Sequence, residues 1–290
     1  MSYTLYFGDY TYSSWSLRGW LLLHRFDVPM KTRFVDFASA EVADQLKHLF
    51  PARTVPTLVT PEGTVIWDSL AIAEELASRH PEAGIWPEDP TLRAAARGLA
   101  AEMHSGFMAL RQHCPMNLRC AYADVTVPDE VLQDVARIDA LWQWALERSK
   151  GPWLCGTYSA ADAFFAPVAA RIAGYGLSMS PTAMAYVAAH LADPAFRRWR
   201  AMGFAQGQSL PWYAKDFAQV PWPGPASRAA QAVSSGQPEN DVCPYSGKPV
   251  THLLEIDQRI FGVCNAFCRD KTVADPDAWP AFQQLLRQGQ

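Results

Sequence analysis

The sequence lacks several features that would place it at once in a large class of proteins. No apolar run approaches the length of about 18 residues that a membrane-spanning helix needs, and the N-terminus MSYTLYFGDY has no basic stretch followed by an apolar one. The net charge of -4, with acidic and basic residues interspersed, gives no broad positive field for nucleic acid or an anionic membrane. We therefore expect a cytoplasmic protein with neither nucleic acid nor a membrane as partner.

Common enzyme signatures are missing as well. The sequence has no metal-hydrolase, Ser-His-Asp, Walker or dinucleotide motif, and no repeat of fixed period. The six cysteines are unevenly spread, and Cys114, Cys120 and Cys155 are scattered through the middle of the chain. We predict that these three are small buried hydrophobic side chains without disulfide bonds, because thiols stay reduced in the cytoplasm.

The chain does have enough apolar material for two cores, since 49% of its 290 residues are hydrophobic. Residues 1–81 alternate strand-like and helical runs in the order β-α-β-α-β-β-α. A βαβ unit makes the first two strands parallel, and the turn at Glu62-Gly63 makes the last two antiparallel. This order predicts a thioredoxin-like α/β domain.

The rest of the chain divides by composition. A stretch rich in Pro and Gly ends at Pro90, and residues 90–215 then read as a helical bundle, an all-α domain. Residues 216–240 are rich in Pro, Gly, Ser and Ala, so we predict a linker there. Residues 241–290 form a small α+β module that carries three cysteines.

Hydroxyl groups crowd the segment between the first strand and the first helix, at Ser13, Ser14 and Ser16. Ser16 can cap the helix, while Ser13 or Ser14 can donate a hydrogen bond to an anion held at the helix start, such as a thiolate. The alternative is that all three serines only cap the helix and turn the chain.

Two further motifs lie at strand boundaries. Val55-Pro56 puts a proline at the first residue of a strand, where its missing N–H is tolerated. Asp68-Ser69 lies at a strand-to-helix junction, where Asp68 can cap the helix. The same carboxylate and hydroxyl can instead bind the charged ends of a peptide ligand.

Together, Ser13-Ser14-Trp15-Ser16-Leu17-Arg18, Val55-Pro56-Thr57-Leu58 and Asp68-Ser69-Leu70-Ala71-Ile72 resemble the glutathione transferase superfamily in order and spacing. The first motif is most similar to the serine-type, zeta-like classes. In the second domain, Ser159-Ala160-Ala161-Asp162 matches the capping box that opens a core helix of that family. The resemblance covers about the first 215 residues.

The resemblance implies an enzyme that uses glutathione as co-substrate. Ser13, with Ser14 as the neighbouring candidate, would stabilise the glutathione thiolate and so supply more nucleophile near neutral pH. The other implied glutathione contacts are Trp15, Arg53, Thr54, Val55 with a cis Pro56, Asp68 and Ser69. Relatives often carry Gly-Lys or Gly-Arg before Val-Pro, so Arg53 or Lys47 is left to meet the glycyl carboxylate.

A small electrophile is the expected second substrate, and thioether formation or cis-trans isomerisation the expected outcome. We predict that it binds against the helix around residues 101–108 and its continuation to Arg111. His104 and His113 are interpreted as structural or exposed. The resemblance also implies a homodimer.

The cysteines of the C-terminal module, Cys243, Cys264 and Cys268, are arranged as a knuckle and a close pair, which is typical of thiolate metal sites. Residues 241–279 resemble YHS or TRASH-like metal-binding modules, and zinc is the expected metal. A fourth ligand could come from His252, Asp241 or outside the protein. The alternatives are a module that has lost its metal, and a non-catalytic glutathione- or metal-binding sensor on a transferase scaffold. A thiol-disulfide or peroxide reductase is disfavoured, because serines stand where its cysteine would.

Overall fold

The computed structural model describes residues 2–288, which form two compact units. The first unit consists of residues 2–191 together with 210–223, and the second of residues 192–209 together with 224–288. No helix in the described part of the chain combines the length and the apolar character needed to cross a membrane.

The first unit begins with a four-stranded sheet. Its strands are β1 (Tyr3–Phe7), β2 (Met30–Phe34), β3 (Thr57–Val59) and β4 (Val65–Ile66), in the order β2-β1-β3-β4. β1 pairs parallel with β2, whereas β3 is antiparallel to both β1 and β4. The helices of this region are α1 (Ser14–His24), the short α2 (Val42–Gln45) and α3 (Ser69–Arg79). The thioredoxin-like order predicted from the sequence is confirmed.

The start of α1 differs from the sequence prediction. The side chain of Ser13 accepts a hydrogen bond from the backbone N–H of Ser16, so Ser13 is the N-cap and Ser16 lies in the first turn. Ser16 instead accepts a hydrogen bond from the backbone N–H of Gly8, at the end of β1. The prediction that Ser16 caps the helix was wrong, because the helix begins before it, at Ser14, and a cap accepts from an N–H two or three residues further along the chain.

The all-helical part of the first unit follows. Its helices are α4 (Pro90–Ser105), α5 (Met108–His113), α6 (Asp129–Ser149), α7 (Ala160–Gly174) and α8 (Pro181–Ala192). The helix predicted around residues 101–108, with its continuation to Arg111, is divided between α4 and α5, since Phe107 adopts a left-handed conformation with a φ of 58°. A two-residue ladder joins β5 (Ala121–Tyr122) to β6 (Gln219–Val220).

Helix α7 lies at the centre of this unit, with nearly all of its residues buried. Ser159 and Asp162 form the predicted capping box at its start. The buried carboxylate of Asp162 also accepts hydrogen bonds from the backbone N–H of Leu154 at 3.0 Å and the hydroxyl of Tyr186 at 2.8 Å. The capping box therefore also fixes the chain before α7 and the neighbouring helix α8.

The second unit has its own sheet and core. It contains α9 (Pro194–Gln206), β7 (Ala230–Val233), β8 (His252–Ile256), β9 (Arg259–Val263), α10 (Ala266–Ala274) and α11 (Pro280–Arg287). The strands form an antiparallel sheet in the order β7-β8-β9. Leu254, Phe261 and Phe282 are fully buried in its core.

The division into units differs from the predicted domain boundaries in two places. Helix α9, which we expected in the helical domain, packs against α10 of the C-terminal module. The predicted linker, residues 216–240, contributes β6 to the first unit and β7 to the second. Both strands are short and largely exposed. Composition therefore does not distinguish them from a linker, and only backbone pairing to distant residues identifies them.

Candidate functional site

A cavity of about 760 Å³ opens in the first unit, where the start of α1 faces the helical part. Nine of the N-terminal residues selected from the sequence line this cavity: Ser13, Ser14, Trp15, Arg53, Thr54, Val55, Pro56, Asp68 and Ser69. These residues come from three separate segments of the chain. The fold therefore brings all three motifs to one site.

A tight turn holds the segment before α1. One carboxylate oxygen of the buried Asp9 accepts hydrogen bonds from the backbone N–H and the hydroxyl of Thr11, both at 2.7 Å, and from the backbone N–H of Tyr12 at 3.1 Å. The ring of Tyr12 stacks on Tyr213 with centroids 4.7 Å apart. Asp9 thus holds the turn that leads to Ser13 and Ser14.

The Val55-Pro56 segment lines the cavity and lies close to α1. The peptide bond between the two residues is cis, as the resemblance implied. Gly19 of α1 permits this approach, because a Cβ there would lie 2.6 Å from the Cβ of Pro56. The hydroxyl of Thr57 donates to the carbonyl oxygen of Thr54 at 2.7 Å and so braces the loop.

Asp68 and Ser69, at the start of α3, also line the cavity. Asp68 is the N-cap of α3, as predicted, since Oδ1 accepts from the backbone N–H groups of Leu70 and Ala71. Its other carboxylate oxygen lies 3.3 Å from Nε2 of His104, whose ring packs edge-on against Trp15. The hydroxyl of Ser69 is buried and has no hydrogen-bond partner among the described residues. Such a group is costly unless a ligand satisfies it.

Guanidinium groups are concentrated near this site. Arg18 is 1% exposed, and its guanidinium lies 4.5 Å from the ring centroid of Trp15. Arg111 lies at the same distance from that ring. Burial, and then the charges of Arg111 and Arg171, lower the pKa of Arg18. No carboxylate oxygen of the described chain lies within 4.0 Å of these guanidinium nitrogens, so the positive charge is not neutralised by ion pairs.

The helical part supplies the remaining wall. Met108, Arg111 and Gln112 of α5 line the cavity. Only the C-terminal end of the helix predicted to meet the second substrate therefore lines the cavity. His104, earlier in that helix, packs against Trp15 and is not part of the lining that the structure describes. Of the two basic residues left open for the glycyl carboxylate, Arg53 lines the cavity, whereas Lys47 is not part of the lining that the structure describes.

Arg171 was missed by the sequence analysis. It lines the cavity from α7, and it is the only Arg or Lys in that otherwise mainly apolar helix. A single arginine inside a helix that is hydrophobic on all sides could have identified it, because a buried guanidinium requires an unusual set of partners.

The C-terminal cysteines form a second candidate site, in the second unit. The sulfur atoms of Cys243, Cys264 and Cys268 all lie within 4.8 Å of one another. The first follows β7 and opens a turn that is closed by a hydrogen bond from the Gly247 N–H, and the other two flank the start of α10. Neither His252 nor Asp241, the predicted fourth ligands, belongs to this cluster.

The surroundings of this cluster are polar and charged. Asn265, the N-cap of α10, donates to the sulfur of Cys264 at 3.4 Å. The largely buried ammonium of Lys271 lies 3.8 Å and 3.9 Å from the ring centroids of Tyr245 and Trp279. Burial lowers the pKa of Lys271, whereas the nearby thiols oppose this effect.

The other cysteines are free thiols as well. Cys114 and Cys155 are buried, as predicted, and burial raises the pKa of Cys114 to about 11. Cys120 differs from the prediction because it is partly exposed.

Residues 12–79 match the family model described as "Glutathione S-transferase, N-terminal domain". This segment of the chain therefore resembles the N-terminal domain of glutathione transferases. The resemblance inferred from its motifs is therefore confirmed for this region. A curated relative, the probable maleylacetoacetate isomerase of Caenorhabditis elegans, is 42% identical to this chain over 97 residues. That match spans 33% of this chain and 44% of the relative, so less than half of the relative's length is covered.

Solved structures show the same fold over a longer stretch. A glutathione transferase homologue from Burkholderia, crystallised with bound glutathione, is 23% identical, with a TM-score of 0.55 and coverage of 70% of this chain and 98% of that one. Glutathione transferase Omega 3C from Trametes versicolor is 18% identical, with a TM-score of 0.54 and coverage of 69% and 88%. The transferase fold, a thioredoxin-like domain followed by a helical domain, thus covers most of the chain.

Proposed function

We propose that this chain is a glutathione transferase that activates the glutathione thiol for attack on a small electrophile. The observation that carries the proposal is the meeting of three motifs, distant in sequence, around one cavity that contains the start of α1. A helix N-terminus favours an anion, because its backbone N–H groups and its dipole are directed at the ligand. The thiolate is the anion expected there.

The rest of the peptide has suitable partners around the cavity. An extended backbone can pair with Val55, which lies beside the cis bond to Pro56. The γ-glutamyl end meets Asp68 and the unpaired hydroxyl of Ser69. Arg53 is the basic group for the glycyl carboxylate. The resemblance leaves either Ser13 or Ser14 as the donor to the sulfur, and both line the cavity.

The electrophile would bind on the side of α5, beside Met108, Arg111 and Gln112. Methionine adapts its shape to small ligands. The relative from Caenorhabditis elegans is named as an isomerase, which supports isomerisation beside thioether formation. Both reactions need the same thiolate nucleophile.

Calorimetric titration of the purified protein with glutathione tests the proposal, followed by a thiol-conjugation assay with and without enzyme. We expect saturable binding and enzyme-dependent conjugation. An Arg53→Met variant should weaken binding, whereas Arg33→Met, on the mainly exposed strand β2, should not. A wild-type protein that does not bind glutathione would refute the proposal.

We also propose that the chain forms a homodimer. Phe50 is 85% exposed in the single chain, although a phenylalanine normally loses most of its accessible surface on folding. It lies shortly before the cavity segment that begins at Arg53. A second copy of the chain is the partner that would cover it.

A second proposed activity is metal binding by Cys243, Cys264 and Cys268, with zinc as the expected ion. Zn–S bonds of about 2.3 Å in a tetrahedral site put sulfur atoms about 3.8 Å apart, and the sulfur atoms of Cys264 and Cys268 are 3.9 Å apart. Three thiolates around a divalent cation leave one negative charge, which the ammonium of Lys271 would balance. The residues present therefore fit a thiolate metal site whose fourth ligand comes from outside the cluster.

Zinc would link the turn after Cys243 to the start of α10 and so stabilise a unit with a small core. Elemental analysis of protein purified without chelator tests this proposal. We expect about one zinc per chain in the wild type and in Cys120→Ser, a partly exposed cysteine outside the cluster. A metal content that is unchanged in Cys264→Ser would refute the site. Metal-dependent partner binding without conjugation would favour a sensor instead of an enzyme.

A further inference from the structure

The two adjacent serine hydroxyls at the start of α1 have different hydrogen-bond partners. Both residues line the cavity and both are buried, with exposures of 6% for Ser13 and 8% for Ser14. Burial alone does not identify the one that donates to a ligand. Their hydrogen bonds do, because a hydroxyl has only one proton to donate.

The hydroxyl of Ser13 is used within the protein. Its oxygen accepts from the backbone N–H of Ser16 at 3.3 Å as the helix cap. Its proton is donated to the hydroxyl oxygen of Ser16 at 2.7 Å. Ser16 is held in turn by the backbone N–H of Gly8 at 2.9 Å. Ser13 would have to break a short buried hydrogen bond before it could donate to a thiolate.

The hydroxyl of Ser14 has the opposite arrangement. Its oxygen accepts a hydrogen bond from Nη2 of Arg171 at 3.3 Å. No acceptor for its proton is present among the described residues. A donor that is itself bonded to a cation is polarised, and it binds an anion more strongly in a low-dielectric site. Ser14 is therefore the hydroxyl that is ready to donate.

Arg171 is fixed in the position that this role requires. Nε donates to the carbonyl oxygen of Cys114 at 2.9 Å, and Nη1 donates to that of Pro167 at 3.1 Å. Burial, and then the charge of Arg111, lower the pKa of Arg171 to about 10, so the group stays protonated at neutral pH. Its partners are neutral carbonyl and hydroxyl oxygens, and no ion pair with a carboxylate is found in the described chain.

A buried cation without an anionic partner is costly, so a charge of opposite sign is expected to approach it when the site is filled. An anion bound in the cavity beside Ser14 can accept a hydrogen bond from its hydroxyl and be attracted by the charge of the Arg171 guanidinium.

We propose that Ser14 donates the hydrogen bond that stabilises the glutathione thiolate, and that Arg171 is the positioning residue that orients and polarises this hydroxyl. Ser13 then serves as the structural cap of α1. The inference rests on the proposed function, since it assigns roles within the same site. In this step the S–H bond breaks, its proton goes to solvent, and the sulfur keeps the electron pair. Neither Ser14 nor Arg171 changes its protonation state.

The test follows the ultraviolet absorbance of the bound thiolate as a function of pH, together with the pH profile of kcat/KM. The variants are Ser14→Ala, Ser13→Ala and Arg171→Met, with Arg137→Met as a control that removes an exposed guanidinium from α6. The hydrogen bond from Ser14 stabilises the thiolate relative to the thiol. Its loss in Ser14→Ala or Arg171→Met should therefore lower the thiolate fraction at pH 7 about tenfold. We expect Ser13→Ala to lower the thermal stability while the thiolate titrates as in the wild type.

Because Arg171 is buried, its replacement by methionine can also disturb the packing around it. Arg171→Lys is therefore included as a variant that keeps the positive charge. It should retain more thiolate than Arg171→Met, which a purely structural role would not predict. A normal thiolate titration in Ser14→Ala, or its loss in Ser13→Ala alone, overturns the inference and leaves the proposed function standing. Absence of glutathione binding by the wild type defeats the proposed function itself.

Discussion

Replacement of Ser69 by alanine should have opposite effects on ligand binding and on stability. Its hydroxyl is buried at the cavity wall and has no hydrogen-bond partner among the described residues. In the free protein this unpaired group costs about 1–3 kcal/mol. Ser69→Ala should therefore leave the unliganded protein as stable as the wild type, or more stable by about 1 kcal/mol.

Binding should change in the other direction. If the hydroxyl donates to the γ-glutamyl carboxylate, the bond is charge-assisted, and such bonds contribute about 1.5–3 kcal/mol. Its loss corresponds to a dissociation constant about tenfold to hundredfold higher. Calorimetric titration with glutathione measures this constant, and urea unfolding of the unliganded protein measures the stability.

Ser78→Ala is the matched control, because Ser78 is an exposed serine on the same helix and bonds only to the carbonyl of Glu74. It should bind glutathione like the wild type. If Ser69→Ala binds glutathione as tightly as the wild type, the hydroxyl does not contact the ligand and the placement of the γ-glutamyl end is refuted.

Three further outcomes are expected. Asp162→Ala should lower the free energy of unfolding by about 4 kcal/mol in urea titrations, because it leaves several buried donors unpaired. His190→Phe should make the free energy of unfolding less sensitive to acid, since burial, and then the charge of Arg25, lower the pKa of His190 to about 3. The unfolded state then binds more protons below about pH 6.5, so the wild type should lose about 2 kcal/mol more than the variant between pH 7 and 5. Phe50→Ser should weaken dimerisation about hundredfold in light scattering, because two buried rings are lost.

Each of these has a clear contrary result. A loss below about 1 kcal/mol in Asp162→Ala would show that the donors find other partners. An equal loss of stability in acid for His190→Phe and the wild type would assign the sensitivity to another group. A monomeric wild type, or a Phe50→Ser dimer of unchanged affinity, would remove Phe50 from the interface.

The cavity could be predicted from the sequence because its residues lie at chain positions with strong local rules. Asp68 is the N-cap of a helix, and Val55-Pro56 immediately precedes strand β3. Caps and strand prolines are recognisable without any tertiary contact. The resemblance to a known family then joined these positions, and the structure brings them to one cavity.

The parts that the sequence did not predict depend on contacts between distant residues. Arg171 reaches the serine turn from a helix 157 positions away in the chain, and no local pattern connects it to Ser14. The cap of α1 was assigned to the wrong serine, because three hydroxyls lie within one turn and the bond between Ser16 and the N–H of Gly8 cannot be read from local sequence. Strand β7 was taken for a linker, because its partner β8 begins nineteen positions after β7 ends, at His252.

The central claim is that the cavity at the start of α1 binds glutathione as the thiolate. The most direct measurement is a pH titration of the thiolate absorbance of glutathione bound to the wild-type protein. The account predicts an apparent pKa well below the value of about 8.5 that a free thiol has. Absence of binding, or a bound thiol that titrates like free glutathione, would contradict it.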